Sequence, residues 1–484
     1  MNIPLVILIG YVIVLGLLSW KATQIQKSGG GGMMLNYLLA GQKLPTLLVA
    51  VMLTGLAVGG ASTVGVAEQA YTKGLSAGWY NAAWGTGGIV AGLFLASKYR
   101  SMSQHTVPEM MGTAFGSGAR LVGVLAQLLI MMTITSLQYV AGGAILASML
   151  PEIFTFHTGM LASAVVFVGI TLMGGYWASG LTNVVNVIFI YVGIFVALIA
   201  GFRNLGGVDA VLKALPAGPW FDPVSGIGLA IVTGWMTVMT TMACTTQAVV
   251  QISIAAKDEK TARNGFILGG LLTLPAGFLC ALFGIMAAAE FPNLSNPALA
   301  LPTIAKNSIS PLVGGIFLAG LWAADVSTAI GLLMGCSSLL LRDVLKRSTT
   351  KNFTPKTEML ISRGSVLLVS ACSLGLALTA VGILQTITSA LAITTSFTLL
   401  IVTNIYFPRL CKKSAGLWTI SASLIVWALW TWVPATRWAP HLIYAEWVIC
   451  LVVFALTSVL DKRPAALLLP MERKLPGAEA TQAD

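Results

Sequence analysis

The sequence predicts an all-α polytopic membrane protein of about 13 transmembrane helices. Three observations carry that expectation: scarcity of charge, a succession of apolar runs, and lopsided placement of lysine and arginine. The 484 residues are 57% hydrophobic and only 9% charged, with mean hydropathy +0.88. A soluble domain is about 25% charged, so too few charges exist to cover a water-facing surface of this size. Net charge is +11, but basic residues gather in the cytoplasmic loops of membrane proteins. No nucleic-acid partner is therefore implied; the partners are the lipid bilayer and a small-molecule solute, with no obligate protein partner evident.

Taken in order, the apolar runs are 4–20, 44–71, 77–98, 119–149, 158–177, 182–201, 225–251, 264–289, 311–343, 361–381, 384–408, 415–433 and 441–460. The fourth, seventh and ninth exceed the ~20 residues a perpendicular span needs, and so must tilt, break or run on into water. The first, Ile3 to Trp20, has no basic residue before it, Lys21 after it and no A-x-A cleavage pattern. It reads as a retained helix whose N-terminus lies outside. With that orientation, every basic residue except Lys73, Arg203, Lys213, Lys306 and Arg437 falls on the cytoplasmic side. One helix more or fewer would reverse each later loop, so the bias supports the count and places the C-terminus inside. The expected location is the plasma (inner) membrane.

Of the six cysteines, Cys244, Cys280, Cys336, Cys372 and Cys450 sit in apolar runs and Cys411 follows one. With no CxxC and three scattered histidines, they read as small buried hydrophobes. The Gly29–Gly32 run reads as a connector, and the tail after Asp461 as polar and disordered.

Polar and glycine-rich interruptions mark the candidate site. The second run reads TGLAVGGASTVG from Thr54, with Gly55, Gly59, Gly60 and Gly65 in twelve residues. Each interior glycine costs a helix about 1 kcal/mol relative to alanine. The stretch is either a helix broken in mid-membrane, which frees backbone groups for a solute or ion, or a GxxxG packing face. The seventh run carries Thr237, Thr240, Thr241, Thr245, Thr246 and Gln247. These polar groups either line a cavity or bond back onto their own helix. In the ninth, AADVSTA from Ala323, residues Ala324, Ser327 and Thr328 stand at i, i+3 and i+4 on one face. Two hydroxyls and a carbonyl freed by bending are hard oxygen donors suited to Na⁺; serine and threonine also serve as helix–helix glue. Asp325 lies about 60° from Thr328 around the helix, beside those oxygens. A carboxylate there costs about 3 kcal/mol unless paired or hydrated, so it either adds charge to a cation site or carries a proton.

Four stretches in order resemble the sodium/solute symporter family, whose members carry sugars, proline, pantothenate or monocarboxylates. They are YLLAGQKLP at 37–45 leading to GVAEQAYTKGLSAGW at 65–79, GGYWASGLTNVVN at 174–186, QAVVQISIAAKDEKTARNG at 247–265, and AADVSTAIGLLMGCSSLLLRDVLK at 323–346. The resemblance implies the broken-helix fold of two inverted five-helix repeats over 44–410. Before it, 1–43 would be an extra N-terminal helix and connector; after it, 411–460 would be two further spans and 461–484 a cytoplasmic tail. It implies a Na⁺ site from the carbonyls of Gly55, Val58 and Ala324 with the hydroxyls of Ser327 and Thr328. It also implies solute contacts at Ser62, Asn81 and Thr246, with Gln138 and Gln247 as neighbours. Trp79, Tyr80 and Trp84 read as an apolar or stacking wall, with interfacial anchoring as the other reading of Trp79. Two departures bear on coupling: Asn183 replaces a family aspartate, and Asp325 replaces an apolar residue. Asn183 and Asp325 are therefore the candidate coupling positions.

The function so implied is sodium-coupled symport of a small organic solute, an amino acid such as proline or a small carboxylate. A carboxylate would rely on freed N–H groups at the broken helix, because no mid-membrane lysine or arginine is present. The alternatives are proton coupling through Asp325, or a non-transporting sensor or channel. No nucleophile–base arrangement marks an enzyme.

Overall fold

The computed structural model describes residues 3–28, 33–348, 353–378 and 382–469; the expected Gly29–Gly32 connector lies outside them. Helices account for nearly all of these residues, because in hydrocarbon each backbone polar group must be satisfied within its own segment. Ten helices are long and apolar enough to cross a membrane unbroken, and two more spans are bent pairs. The first is α1, Ile3–Ser28. The bent pair α2 (Thr46–Ala57) and α3 (Gly60–Lys73) follows, kinked by 43°. The chain then doubles back through Gly74–Gly78, where Gly74 has φ +68°, into α4 (Trp79–Ala91). With each bent pair taken as one span, the described residues hold up to 12 spans, against the 13 that hydropathy expected.

Next come α5 (Ser117–Met149) and α6 (Phe156–Asn204). The fifth and sixth expected spans are one helical segment, folded at Gly175, whose φ of +56° and ψ of −148° only glycine adopts readily. The second bent pair is α7 (Leu229–Thr245) with α8 (Gln247–Ala255), kinked by 48° at Thr246. Then follow α9 (Glu259–Thr273), α10 (Ala276–Glu290), α11 (Pro311–Leu339) and α12 (Pro355–Ala377). Last are α13 (Ile383–Ala392), α14 (Thr394–Tyr406), α15 (Ala415–Trp432) and α16 (Leu442–Leu460). The breaks fall in the first helix of each five-helix repeat, which is the expected broken-helix architecture.

Small residues let these helices meet closely. A Cβ on Gly85 of α4 would stand 2.6 Å from the Gly270 carbonyl of α9, and the reverse holds equally. Centrally, α11 packs against α5 and α6, and 89% of its apolar window is buried, against 22% for α1. At one end of the bundle, Leu44 N–H donates to the Ala255 carbonyl (3.1 Å) and Lys257 N–H to the Leu44 carbonyl (3.0 Å). The first and third motifs thus tie the start of α2 to the end of α8.

Two expectations are corrected. Residues 462–469 are ordered: Lys413 N–H donates to Arg463 O, Ala465 N–H to Cys411 O and Leu468 N–H to Asn404 Oδ1. Cys372 is exposed on α12, whereas the other five cysteines are buried as expected.

Candidate functional site

The geometry starts at the break between α2 and α3. Val58 there adopts φ −110° and ψ 53°, outside the helical region, and Gly59 is extended. The break leaves the C-terminal end of α2, partially negative, facing the N-terminal end of α3, partially positive. Asn81 on α4 holds the kink by donating Nδ2–H to the Ala57 carbonyl (3.2 Å). Ser62 caps the same carbonyl at 2.7 Å and that of Gly59 at 3.0 Å.

α11 crosses this break. Thr328 Oγ1 donates to the Gly55 carbonyl at 2.7 Å and lies 3.1 Å from the Ala324 carbonyl; Ser327 Oγ donates to the same Ala324 carbonyl at 2.8 Å. Oxygens of Gly55, Ala324, Ser327 and Thr328 therefore form one buried cluster next to Val58. They are neutral hard oxygen donors of the kind that suits Na⁺. The Ala324 carbonyl is not freed by a bend, as the sequence reading had it: α11 runs on, and the two hydroxyls bond back to that carbonyl. Asn183 on α6 presses against Gly55, where an added Cβ would stand 2.6 Å from Asn183 Cγ. Its Nδ2–H goes to Ser179 O (2.8 Å), leaving Oδ1 buried without a donor beside the cluster.

Asp325 meets the break at Gly60, next to the Gly59 that faces Thr328. It is fully buried and packs on Gly60, whose Cβ would lie 2.6 Å from its Cγ and 2.8 Å from Oδ1.

Around the break is a small central cavity lined by Gly59, Ser62, Gln138 and Thr246 with Tyr80, Trp84, Met242, Ile387 and Leu391. About 40 Å³ is open to the centre of a water molecule, room for a few waters at roughly 10–15 Å³ each. Ser62, Gln138 and Thr246 are thus brought together as expected, but Asn81, Gln247 and Trp79 are not among the lining. Trp79 Nε1–H donates to the Pro223 carbonyl (2.7 Å) instead. Gln247 accepts from Val107 N–H (2.8 Å), and its backbone N–H donates to Gln127 Oε1 (2.9 Å), joining α8 to the segment before α5. Two larger outer cavities, about 550 and 490 Å³, share Gln385, Ser389, Trp430 and Arg437. One helix, α13, gives Ile387 and Leu391 to the central cavity and Gln385 and Ser389 to the outer ones, so it is the partition between them.

The family model of the sodium:solute symporters matches residues 37–422. The chain belongs to that family. Among curated relatives of this chain, sodium/glucose cotransporter 4 of Danio rerio is 24% identical over 76% of the chain. The chain spans only 61% of that relative's length. The high-affinity proline transporter PutP of Bacillus subtilis is also 24% identical, over 81% of the chain and 86% of its own length. Among solved structures, a Na⁺-coupled sialic acid symporter in a substrate-bound, outward-open state superposes with TM-score 0.77 at 17% identity, covering 96% of this chain and 99% of that one. That likeness establishes the fold.

The residues that sequence reasoning missed are mostly apolar. Met242, Ile387 and Leu391 give no signal in helices that are apolar throughout.

Proposed function

We propose that this family member couples the inward movement of Na⁺ to the uptake of a small organic solute by alternating access. The observation that carries the reading is the Thr328 hydroxyl reaching across to the Gly55 carbonyl at the α2–α3 break (2.7 Å). A cation held by Gly55, Val58, Ala324, Ser327 and Thr328 would join the kinked helix to α11, favouring one arrangement of the two. Solute bound at Ser62, Gln138 and Thr246 would favour the same arrangement, and such shared preference is what couples the two ligands reciprocally. Because the central cavity is small, the solute enters as α13 swings and leaves as the inner half-helices part. The relatives named for proline and glucose bracket the size of the cargo. The protein sits in the plasma (inner) membrane with its N-terminus outside and its C-terminus in the cytoplasm.

Reconstituted full-length protein tests the reading. Labelled L-proline, pantothenate and glucose are offered to proteoliposomes under an inward Na⁺ gradient, and under a pH gradient with Na⁺ replaced by a large organic cation. Accumulation only with Na⁺, lost in a Ser327→Ala/Thr328→Ala variant, supports the proposal. Uptake driven equally by the pH gradient alone would transfer the coupling to Asp325 and a proton. Absence of Na⁺-driven uptake and Na⁺-induced stabilisation alike would remove it.

A further inference from the structure

The carboxyl group of Asp325 is the most unusual group in the membrane interior, and its position bears on what the site carries. One turn of α11 presents opposite chemistry to the two ends of the break. Thr328 meets the C-terminal end of α2 at Gly55, and Asp325 meets the N-terminal end of α3 at Gly60. Gly60 makes room for the carboxyl on one side. On the other, a Cβ at Gly142 of α5 would stand 3.0 Å from Oδ2. The group is fully buried, and neither oxygen is in full hydrogen-bonding geometry with any donor among the described residues. Its polar neighbours are the backbone amides of Ala61, in the first turn of α3, and Gly142. No lysine, arginine or histidine side chain faces it from α3, α5, α6 or α11. Ser163 of α6 accepts from Trp322 Nε1 (2.9 Å), and the nearby titratable group, Tyr139, shares its hydroxyl with Ser370 (2.7 Å). The positive charge that the carboxylate meets is therefore the end of helix α3.

We infer that Asp325 is a built-in counter-anion for the N-terminus of α3, and that the solute of this symporter carries no carboxylate but is an uncharged polar molecule with an apolar face. The inference rests on the symport reading above and narrows its cargo. Two of the N–H groups at that end are engaged, Ala61 N–H with Gln138 Oε1 (3.3 Å) and Thr63 N–H with the Gly59 carbonyl (3.1 Å), and Gly60 faces Asp325. The charges cancel in pairs, the cation against the end of α2 and the carboxylate against the end of α3. None of the cavity-lining residues carries a charge that an ionised solute could answer. Ser62, Gln138 and Thr246 offer hydrogen bonds, and Tyr80, Trp84 and Met242 offer an apolar wall.

The test uses the purified full chain, wild type and Asp325→Asn, with Asp325→Ala as a second variant. Thermal stabilisation is read in saturating Na⁺ with nicotinate against nicotinamide and pantothenate against panthenol. The wild type should be unmoved by either carboxylate. The Asn or Ala variant, with the end of α3 uncovered, should gain saturable stabilisation by at least one carboxylate, at least tenfold tighter than any trace in the wild type. Stabilisation of the wild type by a carboxylate overturns the inference, and so does a folded variant that gains none. Should neither variant fold, the wild-type response decides alone. Stabilisation by Na⁺ without solute, abolished in Thr328→Val, reports the symport reading separately, so failure of one is not read as failure of the other.

Discussion

Replacing Thr328 by valine removes one oxygen from the proposed cation site while keeping nearly the same volume. The oxygen has two partners, the Gly55 carbonyl at 2.7 Å and the Ala324 carbonyl at 3.1 Å. Ala324 retains Ser327 as a donor, but Gly55 loses its contact to α11. Leaving a buried acceptor short of a donor costs about 1–3 kcal/mol, so the variant should be less stable by that amount even without sodium. Sodium adds a second loss. A ligand at 100 times its dissociation constant stabilises the folded state by about 2.7 kcal/mol, and the variant should forfeit most of that. The deficit should therefore grow from ~1–3 kcal/mol in Na⁺-free buffer to ~3–6 kcal/mol in saturating Na⁺. Thr328→Ser keeps the hydroxyl and should retain the Na⁺ response. Thermal unfolding in detergent, with Na⁺ titrated against a large organic cation, measures all three. A valine variant whose Na⁺ response equals that of wild type refutes the reasoning, because the cation would then be held elsewhere.

Three other outcomes are expected. At the cytoplasmic end of α11, Arg120 Nη2 meets the buried Asp343 Oδ1 at 2.6 Å while Thr106 Oγ1 donates to Oδ2 at 2.7 Å; Arg120→Gln should cost about 3–5 kcal/mol, and adding Asp343→Asn should recover much of it in the same unfolding assay. Gly60→Ala should fold poorly because its Cβ meets the Asp325 carboxyl, and Gly60→Ala/Asp325→Ala should express better than the single variant, as read by monodisperse yield. His105, in the loop before the short helix Val107–Phe115, is held below its usual range by burial, with Arg342 adding to the effect; the unfolded chain therefore takes the proton first as pH falls, so stability is fullest above about pH 6.5 and declines below it. His105→Gln should flatten that decline in a melting-temperature profile from pH 8 to pH 5.

The break at Val58–Gly59 was legible because four glycines in one apolar run are costly unless the backbone must depart from the helix or approach a neighbour. Both occur: Val58 leaves the helical region, and Gly55, Gly59 and Gly60 admit Asn183, Thr328 and Asp325 respectively. Ser327 and Thr328 were legible from spacing, since a helix brings i and i+4 to one face whatever it packs against. The break at Thr246 was harder to place. Thr237, Thr240 and Thr245 bond back to Thr233, Met236 and Thr241 carbonyls, so they look in sequence like the one threonine that lines the cavity. Asn81 and Gln247 were expected at or beside the solute from the resemblance to the family. Both hold backbone instead, a role that depends on which carbonyl or amide the fold sets opposite them. The order in 462–469 could not be read either, because backbone pairing to Cys411 and Lys413 has no side-chain pattern.

The paired hydrogen bonds that join Leu44 to Ala255 and Lys257 make the lower limbs of the two kinked spans one mechanical part. Swinging either limb alone would sever both bonds, at about 1 kcal/mol each, whereas moving them in step severs neither. The coupled ends of α2 and α8 are therefore a single leaf hung on two pivots, Val58 and Thr246, and a change that stiffens either pivot should slow the motion of both half-helices together.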